Sequence, residues 1–240
     1  LPDEAFALAD DYDWTIGQFV WTGFDYLGEP SPYSTDSWPR HSSVFGIIDL
    51  AGLPKDRFYL YRSLWNKQAN TLHVLPHWTW PGREGENTPV FVYTSYPSAE
   101  LFVNGKSYGK QRKLTADESR ALEGQDSLAL QRRYRLMWID VPYEPGEVKV
   151  VAYDASGKPA EEKVIRTAGK PHHLELVADR THLSADGKDL AYITVRVVDK
   201  DGNLCPADSR MVNFSVKGAG KYRAAANGDA TSVDLFHLPM

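Results

Sequence analysis

One cysteine, Cys205, stands among 240 residues, so no internal disulfide framework supports this chain, and a lone thiol predicts a packing role. Apolar runs are short. None approaches the ~18 residues a membrane helix needs, and Leu1 to Ala9 carry no basic stretch of the kind that opens a signal peptide. Positive charge is also scarce. With 27 Lys and Arg against 32 Asp and Glu, the net charge is −5, which argues against nucleic-acid binding through phosphate neutralisation. Most chemistry-bearing motifs are missing too. There is no G-x-S-x-G, H-E-x-x-H, G-x-G-x-x-G or P-loop; Gly218-Ala219-Gly220-Lys221 lacks both the leading Gly and the following Ser or Thr. No cofactor and no metal is expected. What the chain does have is aromatic surface. Seven Trp and 13 Tyr call for large cores or a sugar-like ligand, and 42% hydrophobic residues are ample for a core.

The first 66 residues read as mixed α/β. Asp3 to Tyr12 carries Phe6 and Ala9 at helical spacing behind acidic residues that suit a helix start. Thr15-Ile16-Gly17-Gln18-Phe19-Val20-Trp21 is nearly uncharged and rich in β-branched and aromatic residues, the pattern of a strand buried on both faces. A long irregular stretch rich in proline and aromatics follows, to about Pro54. Lys55 to Trp65 then places Phe58, Tyr61, Leu64 and Trp65 on one helical stripe. A single parallel strand with two helices cannot close a sheet, so partner strands are expected upstream of Leu1.

From about residue 70 the pattern alternates. Strands are predicted at 72–77, 90–95, 100–103, 134–141, 147–153 and 162–166, with Asn104-Gly105 as a two-residue hairpin turn. Lys110 to Arg133 reads as a charged insertion, an exposed loop or short helix. This spacing suggests a β-sandwich. After the linker Gly169-Lys170-Pro171, strands at 174–178, 191–198 and 211–216 suggest a second, Ig-like sandwich. Seventy residues are short for that fold, and the uncapped end Phe236 to Met240 suggests that it continues further.

Isolated candidates carry little chemistry. His73 and His77 have helical ligand spacing but sit on a predicted strand, about 13 Å apart. His172-His173 lies in the linker and reads as solvated. Asn213-Phe214-Ser215 matches a glycosylation sequon on a predicted strand. Trp78 and Trp80, at i and i+2, would share a strand face and form a sugar-stacking platform, or else pack between domains.

The informative region runs from Gln18 to Trp65. Gly17-Gln18-Phe19-Val20-Trp21-Thr22-Gly23-Phe24-Asp25-Tyr26-Leu27-Gly28-Glu29-Pro30 ends a buried strand in an aromatic and a carboxylate. In α/β barrels the C-terminal strand end carries the active site. A Trp there could stack on the apolar face of a pyranose while nearby acids accept hydrogen bonds from its hydroxyls, or it could simply plug the barrel. This segment, followed by Phe45-Gly46-Ile47-Ile48-Asp49-Leu50-Ala51-Gly52-Leu53-Pro54-Lys55-Asp56-Arg57-Phe58-Tyr59, resembles glycoside hydrolase family 2, above all the β-galactosidases of gut Bacteroidetes. Asp140 to Tyr153 is similar to the sandwich that follows the barrel in that family, and the segment from Pro171 fits a trailing module.

The resemblance implies a mostly β chain: an incomplete end of a TIM (β/α)8 barrel over residues 1–68, a β-sandwich over 69–168 and an Ig-like sandwich over 171–240. It implies a retaining mechanism whose two glutamates, about 5–5.5 Å apart, come from earlier barrel strands and so precede Leu1. It assigns Trp21 to the innermost sugar subsite, with Asp25, Tyr26 and Glu29 as further substrate-binding candidates or braces of the loop. β-Glucuronidases of the family carry Asn-x-Lys before the glycine matching Gly46. Ser43-Val44-Phe45 offers no cation there, and an unpaired buried carboxylate is costly, so a neutral β-galactoside or oligosaccharide is the expected substrate, with β-mannoside and β-glucuronide as the alternatives. The family also implies a periplasmic or secreted location. The competing classes are a carbohydrate-binding or spacer sandwich resting on Trp78 and Trp80, and an adhesion module resting on fold alone, which leaves the Trp21 region unexplained.

Overall fold

The computed structural model describes residues 2–29 and 40–237. Residues 30–39 of the proline-rich stretch, including Pro30, lie outside that range, as do Leu1 and the last three residues. Strand outweighs helix. Helices α1 (Pro2–Asp11) and α2 (Asp56–Trp65) precede a two-sheet sandwich. One sheet has the order β1 (Leu72–Leu75), β2 (Val90–Thr94), β5 (Leu136–Trp138). The other has the order β4 (Lys106–Arg112), β3 (Ser98–Val103), β6 (Glu147–Tyr153), β7 (Pro159–Arg166), and every pairing is antiparallel.

Alternation builds the core. Successive side chains of a strand point to opposite faces, so β6 buries Val148, Val150 and Ala152 while its odd-numbered residues face outward. They meet Ala99, Leu101 and Val103 of β3 and, across the sandwich, Val74, Val90, Val92 and Trp138. β1 and β2 read as nearly continuous apolar runs because both of their faces are covered. Their outward side chains Leu75, Phe91 and Tyr93 pack beneath α1 and α2 against Phe6, Leu60 and Tyr61. The asparagine–glycine pair makes the predicted hairpin between β3 and β4, with φ of 49° at Asn104 and 82° at Gly105.

The charged insertion holds two short helices, α3 (Ala116–Ala121) and α4 (Ala129–Tyr134). Thr115 and Glu118 form a capping box at the start of α3. The predicted strand 134–141 is therefore shortened: Tyr134 closes a helix, and its ring joins Phe6 at 5.3 Å instead of entering the sheet. α4 docks on α1 through charge. Arg133 grips Asp11 with two bonds of 2.9 and 2.6 Å, Arg135 pairs with buried Asp3, and the Tyr134 hydroxyl donates to Asp10 at 3.0 Å. Carboxylates at the C-terminal end of a helix oppose its dipole, and Arg133 offsets that repulsion.

Three expectations need correction. Thr15 to Trp21 is not a strand buried on both faces. Among the described residues no ladder pairs with it, and Ile16 and Phe19 are fully exposed at 104% and 101%. Apolar β-propensity creates a demand for neighbours, and no strand among the described residues meets it. The segment 211–216 also forms no strand. Beyond residue 171 the only named sheet among the described residues is the antiparallel pair β8 (His173–Ala178) and β9 (Ile193–Val198), so a complete Ig-like sandwich is not formed. Finally, α2 rotates its buried stripe to Leu60, Tyr61 and Leu64, leaving Trp65 about half exposed.

Trp78 and Trp80 do not form a platform. Trp78 is 1% exposed, its ring meets Tyr143 edge-on at 5.2 Å, and its Nε1–H donates to the Glu144 carbonyl at 2.8 Å. Trp80 instead stacks on His77 at 4.0 Å and under Arg83 at 5.1 Å. His73 stacks on Tyr59 at 3.9 Å and meets Asp56 at 2.7 Å. Cys205 is free and buried. Among the described residues no cluster of His, Cys, Asp and Glu could hold a metal, and no helix is long and apolar enough to cross a membrane.

Candidate functional site

The four site candidates lie on one laced loop pair. After Trp21, residues 22–25 run parallel beside 47–48: Ile47 N–H donates to Thr22 O at 3.1 Å, Ile48 N–H to Gly23 O at 3.0 Å, and Asp25 N–H to Ile48 O at 2.9 Å. Residues 26–28 then run antiparallel to 41–43, through Ser43 N–H to Tyr26 O and Gly28 N–H to His41 O, both 2.9 Å. The Trp21–Thr22 peptide bond is cis.

Asp25 is the anchor of this lacing. It is only 8% exposed; its Oδ1 accepts the Gly46 N–H at 2.7 Å and its Oδ2 pairs with the Lys55 ammonium. Lys55 also donates to the Val44 carbonyl at 3.0 Å. A buried carboxylate needs such partners, and with both oxygens engaged it holds the loop against the start of α2. Sequence reading missed Lys55 as the counter-ion, although Asp25, Gly46 and Lys55 all lie in the two stretches that carried the resemblance. Gly46 is close-packed for the same reason: a Cβ there would lie 2.5 Å from the Phe24 carbonyl carbon and 2.7 Å from Asp25 Oδ1.

Trp21, Tyr26 and Glu29 form the exposed side. Trp21 is 75% exposed, with the Tyr26 ring edge-on at 6.5 Å and Phe45 beyond Tyr26 at 5.8 Å. The Tyr26 hydroxyl donates to Glu29 Oε2, while Glu29 Oε1 takes no hydrogen bond from the described residues. Together these present an indole face, a phenol and a carboxylate to solvent, the set of groups that stacks on and hydrogen-bonds a sugar. A cation does approach the neighbourhood of Val44, but Lys55 is already neutralised by Asp25.

Residues 174–239 match the family described as Glycoside hydrolase family 2 C-terminal domain 5, and residues 85–161 match a domain of unknown function, DUF4982. The chain carries a glycoside hydrolase family 2 C-terminal domain. The chain is 46% identical over 235 residues to the β-galactosidase BoGH2A of Bacteroides ovatus, covering 98% of itself and 25% of that protein. It is 32% identical over 220 residues to a putative β-glucuronidase of Formosa agariphila, covering 91% of itself and 20% of the relative. The crystal structure of a β-glycosidase from Bacteroides vulgatus superposes with a TM-score of 0.81 at 31% identity, over 99% of this chain and 27% of that one. The chain thus spans less than a third of the length of the curated relatives it matches.

Proposed function

We propose that this chain is the C-terminal part of a retaining exo-β-galactosidase, that the two glutamates which break the bond lie outside it, and that Trp21 stacks on the innermost sugar. The observation that carries this reading is the bare apolar edge from Ile16 to Leu27. Ile16, Phe19, Trp21, Phe24 and Leu27 are all more than half exposed, beside a backbone with no ladder partner among the described residues from Thr15 to Val20. Exposed apolar runs of this size mark a surface made to be covered. The remaining strands of a barrel would cover it and leave Trp21 at the strand end where barrel enzymes act. The 46% identity to a protein named a β-galactosidase supports the choice of sugar, as does Lys55, whose charge Asp25 already holds and which is unavailable to a uronate.

Retention needs a nucleophile and an acid/base flanking the glycosidic bond. Within this chain Asp25 is consumed by Lys55 and Gly46, so it is not free to play either role. Export to the periplasm or cell exterior belongs to the same reading, on the family resemblance. The test is hydrolysis of 4-nitrophenyl β-galactoside. The 240-residue chain is expected to be inert and the full-length gene product active, with Trp21→Ala lowering kcat/KM of the latter at least about tenfold. Sugar-specific turnover by the 240-residue chain alone would overturn the assignment.

A further inference from the structure

We propose that residues 227–232, a strap from the C-terminal module, form the outer wall of the sugar site and that Asn227 and Asp229 select the part of the substrate beyond the innermost sugar. This rests on the sugar-site reading of Trp21 given above. Two independent contacts place the strap. His41, whose carbonyl accepts the Gly28 N–H, donates its own N–H to the Ala230 carbonyl at 3.0 Å, so the backbone of 28, 41 and 230 is bridged in sequence. Gly228, at a φ of 73°, lies directly on the Asp49 carboxylate, where an added Cβ would fall 2.7 Å from its Cγ. A module that begins more than a hundred residues after the site loop thus returns to its rim. His41 Nδ1, buried and without a hydrogen-bond partner among the described residues, lies on the residue that joins them.

The strap is held in one shape and presents polar groups outward. Asp229 Oδ1 accepts the Thr231 N–H and Oγ1–H, both at 2.8 Å, and Asn227 Oδ1 accepts the Asp229 N–H at 3.0 Å. Those bonds use one oxygen of each side chain. Asp229 Oδ2 and Asn227 Nδ2 form no hydrogen bond with the described residues, both side chains are exposed, and His41 and Arg40 add their favourable charge to the bonds that hold the Asp229 carboxyl below its usual range. An acceptor and a donor side by side on a fixed turn suit the hydroxyls of a second sugar, and preorganisation lowers the entropic cost of binding it. Trp21 marks the strand end, whereas the strap joins the loop farther along, at Gly28. The strap therefore meets the substrate outside the innermost position.

The experiment compares kcat/KM of the full-length enzyme for lactose with that for 4-nitrophenyl β-galactoside, whose leaving group has no hydroxyls of a second sugar. Asp229→Asn keeps the Oδ1 acceptor and the turn while removing the charge; Gly228→Ala pushes the strap off Asp49. Each variant is expected to lower the lactose-to-nitrophenyl ratio about tenfold, the effect of one hydrogen bond to a charged group. An unchanged ratio in both variants, or an equal fall on both substrates, would overturn the strap's role while leaving the enzyme assignment intact. A wild-type protein inert towards both substrates would overturn the assignment itself, and the strap with it.

Discussion

Gly46→Ala is the sharpest probe of how the site loop is held. The new Cβ would sit 2.5 Å from the Phe24 carbonyl carbon and 2.7 Å from Asp25 Oδ1, with the Asp25 amide nitrogen closer still, whereas ordinary contact begins at 3.4 Å. Two of these neighbours are backbone, so the strands 22–25 and 46–48 must part by roughly 1 Å. That displacement costs about 1–3 kcal/mol as overpacking, and losing the Gly46 N–H bond to the Asp25 carboxylate adds about 1.5–3 kcal/mol. A local loss of about 3 kcal/mol or more is expected, equal to roughly two decades of hydrogen-exchange protection. The amides to follow are Asp25, Ile47, Ile48 and Lys55, whose N–H groups close the seam. Gly23→Ala is the control. It lies on the same loop with nothing within 4 Å of its added Cβ, and its change should stay under ~1 kcal/mol. Equal protection in the two variants would refute the claim that this loop is fixed by close packing around Asp25.

Other consequences are equally checkable. Trp78→Ala should lower stability by about 3–5 kcal/mol, read as a fall in urea midpoint, because it empties the sandwich core and frees the Glu144 carbonyl. Acid should destabilise the chain below about pH 4. The Arg133 guanidinium holds Asp11 below its ordinary range, and the Asn203 side chain and Gly169 N–H do the same for Asp199. In that window the unfolded chain binds more protons, so stability falls as pH drops through the lowered values; Asp199→Asn should flatten the midpoint-against-pH curve. At alkaline pH the same sign holds for Lys113, whose ammonium burial lowers to a pKa of about 8. Between pH 8 and 10 the unfolded chain keeps that proton longer, so stability should climb with pH. Lys113→Met should abolish the climb, again by urea midpoint.

The local signals in the sequence carried a good deal of this. β6 falls on the predicted residues 147–153, since strict alternation with one buried face fixes both extent and register. Asn104-Gly105 marked its hairpin because both residues tolerate positive φ. A further pattern was legible and was not read in full: Asp-x-x-Gly-x recurs at Asp49, Asp154 and Asp199. In each, the Asp side chain accepts the N–H groups two and four residues on, while the glycine sits near φ 82–83°. Thr115-x-x-Glu118 was a capping signal of the same kind, hidden inside what read as a charged insertion. The failures at 15–21 and 211–216 share one cause. Composition specifies that a segment favours a ladder, but the ladder exists only where another segment meets it.

The sequence by itself determined β1, β2, β3, β6 and β7, the Asn104-Gly105 turn, the aromatic end at Trp21 and the family resemblance, because these depend on periodicity, turn chemistry and short contiguous motifs; β4 was hidden in the turn and the charged insertion that follows it. Only the tertiary structure decided that Asp25 is an anchor and Glu29 an exposed carboxylate, that Trp78 belongs to the core, and that a strap from residue 227 onward returns to the site loop. Those facts turn on which distant partner satisfies a buried charge or fills a given space. Residues such as Lys55, Glu144 and Ala230 announce nothing locally about the groups they will meet.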